Sequence, residues 1–242
     1  MTSRIIISLP LLIFFNYLAF TQVSFEFSIK PGTNEWKNLH TEKERAEVLQ
    51  IPDSILDKLT TEELILACLN YPAFFHFAAF NDIQTGIFAL ITRFNGLQEL
   101  TKRQDAGSEL LSIYSNMSLE GYNDETLQLE ESYWPLRIMY LELLLAQEPI
   151  LGRMPVNKQM ELLFVSRDKL TMKLNSDLKS IFDIQPTLLI MCRIIKNADF
   201  VDNNEIIHDN ENLDVFYRTG TMPNSQTFYD LVEQVDLILE YN

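Results

Sequence analysis

Apolar residues recur along most of the chain at the three- and four-residue spacing of amphipathic helices. The final segment follows this pattern most closely, with Phe228, Leu231, Val232, Val235, Ile238 and Leu239 on one face. Residues 188–195 are apolar nearly all round, which predicts a central buried helix. Thr41 with Glu44 and Thr60 with Glu63 have the spacing of capping boxes, which predicts a helix start at each threonine.

The pattern therefore predicts an all-α fold of about eight or nine helices. Helical pairs recur roughly every 40 residues, so stacked helical hairpins are expected, either α-solenoid-like or as an irregular bundle. We expect a single helical domain over residues 41–242, with Asn95-Gly96 ending one helix and Gly107 facing a closely packed neighbour on the next. The polar residues 202–214 predict a loop.

Residues 22–40 lack the helical pattern. Val23, Phe25, Phe27 and Ile29 alternate with polar residues, which predicts a short strand or an extended arm. The segment 30–34, with Pro31 and Gly32, then breaks the alternation. We therefore expect residues 22–40 to form an extended arm in front of the helical domain.

The N-terminus has the pattern of a secretory signal. Arg4 is the only charged residue among the first 25, and the 16 residues that follow it are largely apolar. A transmembrane helix needs about 20 apolar residues, and this run also contains Pro10 and Asn16. The sequence therefore predicts a cleaved signal peptide over residues 1–21, with an uncleaved membrane anchor as the alternative. The mature protein would lie in the periplasm or outside the cell.

The overall charge excludes some classes of partner. The chain has 19 Lys and Arg against 34 Asp and Glu, which gives a net charge of −15. Such a surface repels phosphate, so we expect no nucleic acid partner, and an anionic membrane surface is disfavoured for the same reason. After signal cleavage we expect no membrane insertion. The nearest two glycines, Gly86 and Gly96, are ten positions apart, so no phosphate-binding glycine loop is present and no nucleotide cofactor is expected.

Catalytic motifs are sparse, and we expect no catalytic residue, metal or cofactor. One Glu-x-x-His motif, Glu205 to His208, lies in the acidic segment 202–214, whose oxygen ligands define the alternative function, a metal-assisted or carboxylate-based hydrolase. Cys68 and His76 could form a thiol nucleophile and its base. Cys68 and Cys192 could instead pair as a disulfide or pack as buried free thiols.

One stretch departs from the negative charge of the chain. Arg93, Lys102 and Arg103 flank a predicted helix start, and its exposed N–H groups would favour a carboxylate or sulfate. The candidate binding residues are therefore Arg93, Asn95, Gln98, Lys102 and Arg103. Ordinary salt bridges to Glu99 and Asp105 are the alternative interpretation.

Two stretches of the sequence resemble a protein family, and the resemblance covers roughly residues 35–115. They are residues 35–72, which contain Leu59-Thr60-Thr61-Glu62-Glu63-Leu64 and Cys68-Leu69-Asn70-Tyr71-Pro72, and residues 94–107, which contain Phe94-Asn95-Gly96-Leu97-Gln98-Glu99-Leu100. Both are similar to exported helical proteins of Bacteroides-type bacteria. The resemblance implies export and an all-helical fold, and it implies no activity. With the missing catalytic motifs, it favours a non-catalytic binding module for a protein or cell-envelope ligand.

The signal peptide prediction can be tested on the exported protein. We expect N-terminal sequencing to begin at or near Gln22, because the small residues Ala19 and Thr21 precede that position. Recovery of the intact residues 5–20 in the membrane fraction would instead establish the anchor.

Overall fold

The computed structural model describes residues 25–117, 134–175, 181–197 and 210–241. Within these ranges the regular structure is entirely helical, which confirms the predicted all-α class. The α-helices are α1 (Asn34–Lys37), α2 (Glu42–Val48), α3 (Asp53–Leu56), α4 (Thr61–Leu69), α5 (Ile83–Arg93), α6 (Asn95–Leu100), α7 (Ala106–Asn116), α8 (Trp134–Leu145), α9 (Glu148–Leu151), α10 (Val156–Asn175), α11 (Ile181–Asn197), α12 (Glu211–Thr219) and α13 (Ser225–Tyr241), and a 3-10 helix covers Phe74–Ala79. The predicted signal peptide lies outside the described residues.

Both predicted capping boxes are confirmed. The Glu44 amide donates to Thr41 Oγ1 at 3.1 Å, and the Glu44 carboxylate accepts from the Thr41 amide at 3.0 Å. The same exchange joins Thr60 and Glu63 at 2.8 and 3.2 Å. Each box satisfies amides that the first turn leaves without a helical partner, so it fixes where α2 and α4 begin.

Helix α11 lies at the centre of the core. Its residues 188–195, apolar except for Arg193, are all buried as predicted, and α8, α10, α12 and α13 pack around it. The stripe predicted on α13 is also confirmed, because Leu231, Val235 and Ile238 are buried against the core.

The packing favours an irregular bundle over a solenoid. In a solenoid each repeat contacts only its neighbours along the chain. Here α5 contacts α12, α4 contacts α8, and α7 contacts α10. Contacts between such distant elements close the core on several sides.

One buried arginine ties four helices together. Arg193 of α11 donates to the Ala146 carbonyl that follows α8 at 2.7 Å, to the Tyr217 carbonyl of α12 at 2.8 Å and to Gln84 Oε1 of α5 at 2.8 Å. A guanidinium has five N–H donors, so one side chain can satisfy several buried acceptors. Burial lowers the pKa of Arg193 from its usual value.

The alternating residues 23–29 are predicted to form a strand or an extended arm, and the structure describes them from Phe25 onward. No strand forms there. Residues 25–30 have no regular structure, and α1 forms further along the predicted arm. The Phe27 ring packs 5.8 Å from the Tyr71 ring and 5.9 Å from the Phe94 ring. The buried half of the alternation therefore packs on the aromatic rings that follow α4 and α5 instead of pairing with another strand.

Two other local predictions are wrong. Asn95-Gly96 begins α6 instead of ending α5, because the extended backbone of Phe94 (φ −115°, ψ 117°) separates the two helices. Residues 211–214, predicted as loop, form the first turn of α12, because the Asn210 side chain caps the amides of Asn212 and Leu213. The remainder of the predicted loop, residues 202–209, lies outside the described residues.

Two glycines allow close contacts between elements. A side chain at Gly107 would meet Met154 Sδ at 2.7 Å and the Ile150 carbonyl oxygen at 3.3 Å, so the predicted close neighbour is confirmed and includes α9. A Cβ at Gly86 would collide with the Phe77 backbone, 2.8 Å from its carbonyl carbon. Backbone cannot move aside as a flexible side chain can, so Gly86 sets the distance between α5 and the 3-10 helix.

We expect Gly86→Ala to destabilise the protein by about 1–3 kcal/mol. Alanine improves helix propensity by about 1 kcal/mol, but the collision with the Phe77 backbone outweighs that gain. Urea unfolding followed by circular dichroism measures the change. Phe88→Ala is the matched control, because Phe88 lies on the exposed side of the same helix and its truncation leaves stability nearly unchanged. Equal stability of Gly86→Ala and the unmodified protein would contradict the close packing.

Candidate binding cleft

An open cleft lies between the N-terminal arm, α1, α2, the turn after α4 and the end of α5. Its volume is about 490 Å³. Its lining is formed by Pro31, Trp36, Glu42, Lys43, Arg45, Ala46, Leu49, Tyr71, Pro72, Ala73, Phe75, His76, Leu90 and Arg93.

The Tyr71 ring forms the floor of the cleft and packs on two aromatic rings buried behind it. Tyr71 lies 4.2 Å from Phe94, with the ring planes 12° apart, and Phe27 meets both rings. Tyr71 is only 5% exposed, and its hydroxyl has no hydrogen-bond partner in the described part of the chain. Burial raises the pKa of Tyr71 to about 12, and the nearby positive charge of Arg93 acts in the opposite direction. The hydroxyl therefore stays protonated and can donate.

The walls contribute two further rings. Phe75 is 41% exposed, whereas Phe74 and Phe77 of the same 3-10 helix are buried. Trp36 is held by α1, where the Thr33 side chain accepts from the Trp36 amide at 3.2 Å. Pro72, directly after Tyr71, lies in the turn between α4 and the 3-10 helix that carries Phe75. Apolar rings thus face the opening from two sides.

Positive charge lines the rim. The Arg45 guanidinium lies 5.8 Å from the centre of the Trp36 ring and pairs with Glu42 at 2.9 Å. Lys43 makes only a long contact with Glu47, at 3.8 Å. Arg93 has no ion pair and no side-chain hydrogen bond with any described residue. Among the lining residues, three cations therefore face one carboxylate, in a chain with a net charge of −15.

Two amide side chains hold α2 and α5 in place on the two sides of the cleft. Asn95 donates to the Ile51 carbonyl at 2.7 Å and accepts from the Ile51 amide at 3.0 Å. Gln50 donates to the Arg93 carbonyl at 3.1 Å and accepts from the Asn95 amide at 2.9 Å. These four bonds join the end of α2 to the end of α5.

The structure does not assemble the anion site predicted from the sequence. Asn95 is engaged as just described, and Gln98 donates to the Thr92 carbonyl at 2.8 Å. Lys102 and Arg103 both pair with Glu99, at 3.6 and 2.9 Å. Ordinary salt bridges, the alternative interpretation, therefore account for these two cations. Of the five predicted binding residues, Arg93 alone lines the cleft.

The proposed thiol–histidine pair lacks the required environment. Cys68 is fully buried, whereas His76 is exposed at the cleft rim. Burial raises the pKa of the Cys68 thiol well above its ordinary value, so the reactive thiolate is scarce. Cys192 is also a free buried thiol, with its pKa raised to about 12. Buried free cysteines are thus the interpretation that the structure favours.

The hydrolase alternative falls mainly on residues outside the described part, including Glu205 and His208. Asp214, at its C-terminal end, pairs with Lys196 at 2.6 Å. No group of three or more potential metal ligands occurs within the described ranges. None of the helices there combines the length and apolar character needed to cross a membrane.

Apart from the cleft, a cluster of titratable groups is buried in the core. Glu142 of α8 is fully buried and pairs with Lys173 of α10 at 2.7 Å. Its carboxylate also accepts from the Tyr114 hydroxyl at 2.7 Å and from Thr187 Oγ1 at 2.8 Å. Burial, followed by the Glu142 charge, raises the pKa of Tyr114 well above its usual value. This network links α7, α8, α10 and α11 through side chains that are all buried.

Comparison of the chain with known protein families, with curated proteins and with solved structures found no match. The cleft geometry is therefore the basis for a functional proposal.

Sequence reasoning missed the aromatic and cationic residues that define the cleft, chiefly Trp36, Arg45 and Phe75. A signal for Phe75 was present, because it belongs to the dense aromatic block of Phe74, Phe75, Phe77 and Phe80. Phe74 and Phe77 fill the core, and Phe75 between them is turned outward. Trp36 and Arg45 become part of a site only when α1 and α2 lie beside α5.

Lys173→Met tests the buried network. We expect a loss of about 3 kcal/mol, because the substitution leaves the Glu142 carboxylate buried without its cation. Adding Glu142→Gln should recover most of that loss, since the neutral amide still accepts from Tyr114 and Thr187. Lys158→Met on the same helix is the control, because its pair with Glu161 is exposed and contributes under about 1 kcal/mol. Equal losses for the two lysine variants in urea unfolding would contradict this account.

Proposed function

We propose that the chain is an exported, non-catalytic binding module that holds its ligand in the cleft beside α2 and α5. The main support for this proposal is the combination of an aromatic floor, aromatic rings on the walls and cations on the rim. Such concave sites, largely apolar with a few polar groups that fix orientation, are typical of ligand pockets. The signal-like N-terminus supports export, and with it a protein or cell-envelope ligand.

The dimensions of the cleft support this proposal. Its volume of about 490 Å³ falls within the range of about 300–1,000 Å³ that is common for small-molecule sites. The same volume would accommodate a small organic molecule or a short segment of a larger ligand. The buried residues Leu49, Ala73 and Leu90 support the floor, so the shape does not depend on exposed side chains alone.

The chemistry of the lining supports recognition instead of catalysis. The rings can stack against an apolar ligand, and an aromatic side chain contributes a large contact area at low entropic cost. Glu42, the carboxylate among the lining residues, is already paired with Arg45. What the cleft offers a ligand is therefore apolar contact and positive charge.

A neutral fluorescent dye tests whether the cleft binds apolar molecules. N-phenyl-1-naphthylamine brightens when it leaves water, so we expect saturable fluorescence with the purified protein. Phe75→Ser should weaken dye binding about tenfold, because it removes an apolar wall worth roughly 1.5 kcal/mol of contact. Fluorescence titration gives the two dissociation constants.

Phe164→Ser is the matched control for this experiment. Phe164 is an exposed phenylalanine on α10 that does not line the cleft, so its loss should leave dye affinity unchanged. Circular dichroism verifies that both variants fold. Absence of saturable binding, or equal weakening by the two substitutions, would overturn the proposal that the cleft is the binding site.

A further inference from the structure

We infer that the cleft selects an organic carboxylate attached to an apolar chain or ring; this inference rests on the proposed binding function. Two polar groups at the cleft carry it. Arg93 has no ion pair among the described residues, and the Tyr71 hydroxyl has no hydrogen-bond partner there. A cation and a neutral donor, both without protein partners, lie beside an apolar floor.

The remaining cations of the rim are less available. Arg45 is occupied by Glu42 at 2.9 Å and by the Leu39 carbonyl at 3.3 Å. Lys43 is exposed to solvent, with 86% of its side chain accessible, and contacts Glu47. Arg93 therefore supplies the main uncompensated charge near the floor.

The charge count favours a carboxylate over a phosphate. A guanidinium presents a planar fork of N–H donors that matches one carboxylate, and a hydroxyl donor such as Tyr71 can complete the set. A phosphate dianion would bring a second negative charge into a chain whose net charge is already −15. Because that net charge opposes every anion, a preference for carboxylate has to come from short-range contacts at Arg93 and Tyr71.

The apolar part of the ligand follows from the surrounding rings. Tyr71 forms the floor, and Phe75 and Trp36 stand at the walls. A bare carboxylate such as acetate would use the charge and leave these rings in water. A chain or ring attached to the carboxylate removes that apolar surface from solvent as well.

The test is displacement of N-phenyl-1-naphthylamine by three probes with one chain length: octanoate, 1-octanol and octylammonium. We expect octanoate to displace the dye at the lowest concentration, with 1-octanol about fivefold weaker, since an exposed ion pair is worth up to about fivefold in affinity. Octylammonium should be the weakest, because its charge matches that of Arg93.

The substitution Arg93→Gln tests whether Arg93 causes the preference for octanoate over 1-octanol. It should weaken octanoate about fivefold and leave 1-octanol unchanged. Tyr71→Phe removes only the unpartnered hydroxyl, so it should weaken octanoate while preserving the stacked floor. Arg218→Gln, an exposed arginine on α12 outside the cleft, is the control and should change neither value.

The outcomes separate this inference from the proposed function. If 1-octanol displaces the dye as well as octanoate, or if Arg93→Gln affects both equally, the carboxylate preference is overturned while cleft binding stands. The carboxylate preference is also overturned, and cleft binding also stands, if the dye binds through Phe75 but none of the three probes displaces it. If the dye itself does not bind through Phe75, the proposed function fails first.

Discussion

The cleft depends on a paired exchange of hydrogen bonds between the ends of α2 and α5. Gln50 and Asn95 are 45 residues apart in sequence, yet each side chain satisfies backbone groups of the other segment. Amide side chains can donate and accept together, so one residue can close both halves of such an exchange. These bonds hold the Arg93 backbone beside the segment that follows α2.

The predictions that held were those governed by local chemistry. A capping box involves residues three apart, and the stripe of α13 follows from helical periodicity, so neither needs knowledge of the tertiary fold. Gly107 is a similar case, because a glycine on an apolar helix face costs propensity unless another element approaches it. Asn95 misled the prediction because an Asn-Gly pair fits either end of a helix, and only its contacts with Ile51 decide which.

The site was less predictable than the fold for the same reason. The sequence shows Phe74, Phe75 and Phe77 only as a dense aromatic block, and it gives no reason why Phe75 of the three should face a cleft. Asn95, Gln98, Lys102 and Arg103 are close in sequence and suggested one ligand, whereas in the fold each has a protein partner. The Arg93 side chain differs from them because it has no protein partner among the described residues. Whether a side chain finds a partner depends on which distant residues surround it in the fold.

The two buried cysteines have a consequence for where this protein can fold. Because Cys68 and Cys192 are both free and enclosed by apolar neighbours, no covalent cross-link contributes to the described core. Their protonated thiols are also slow to react with oxidants. The native state would consequently be the same in a reducing and in an oxidising compartment, and folding in either would require no thiol oxidoreductase.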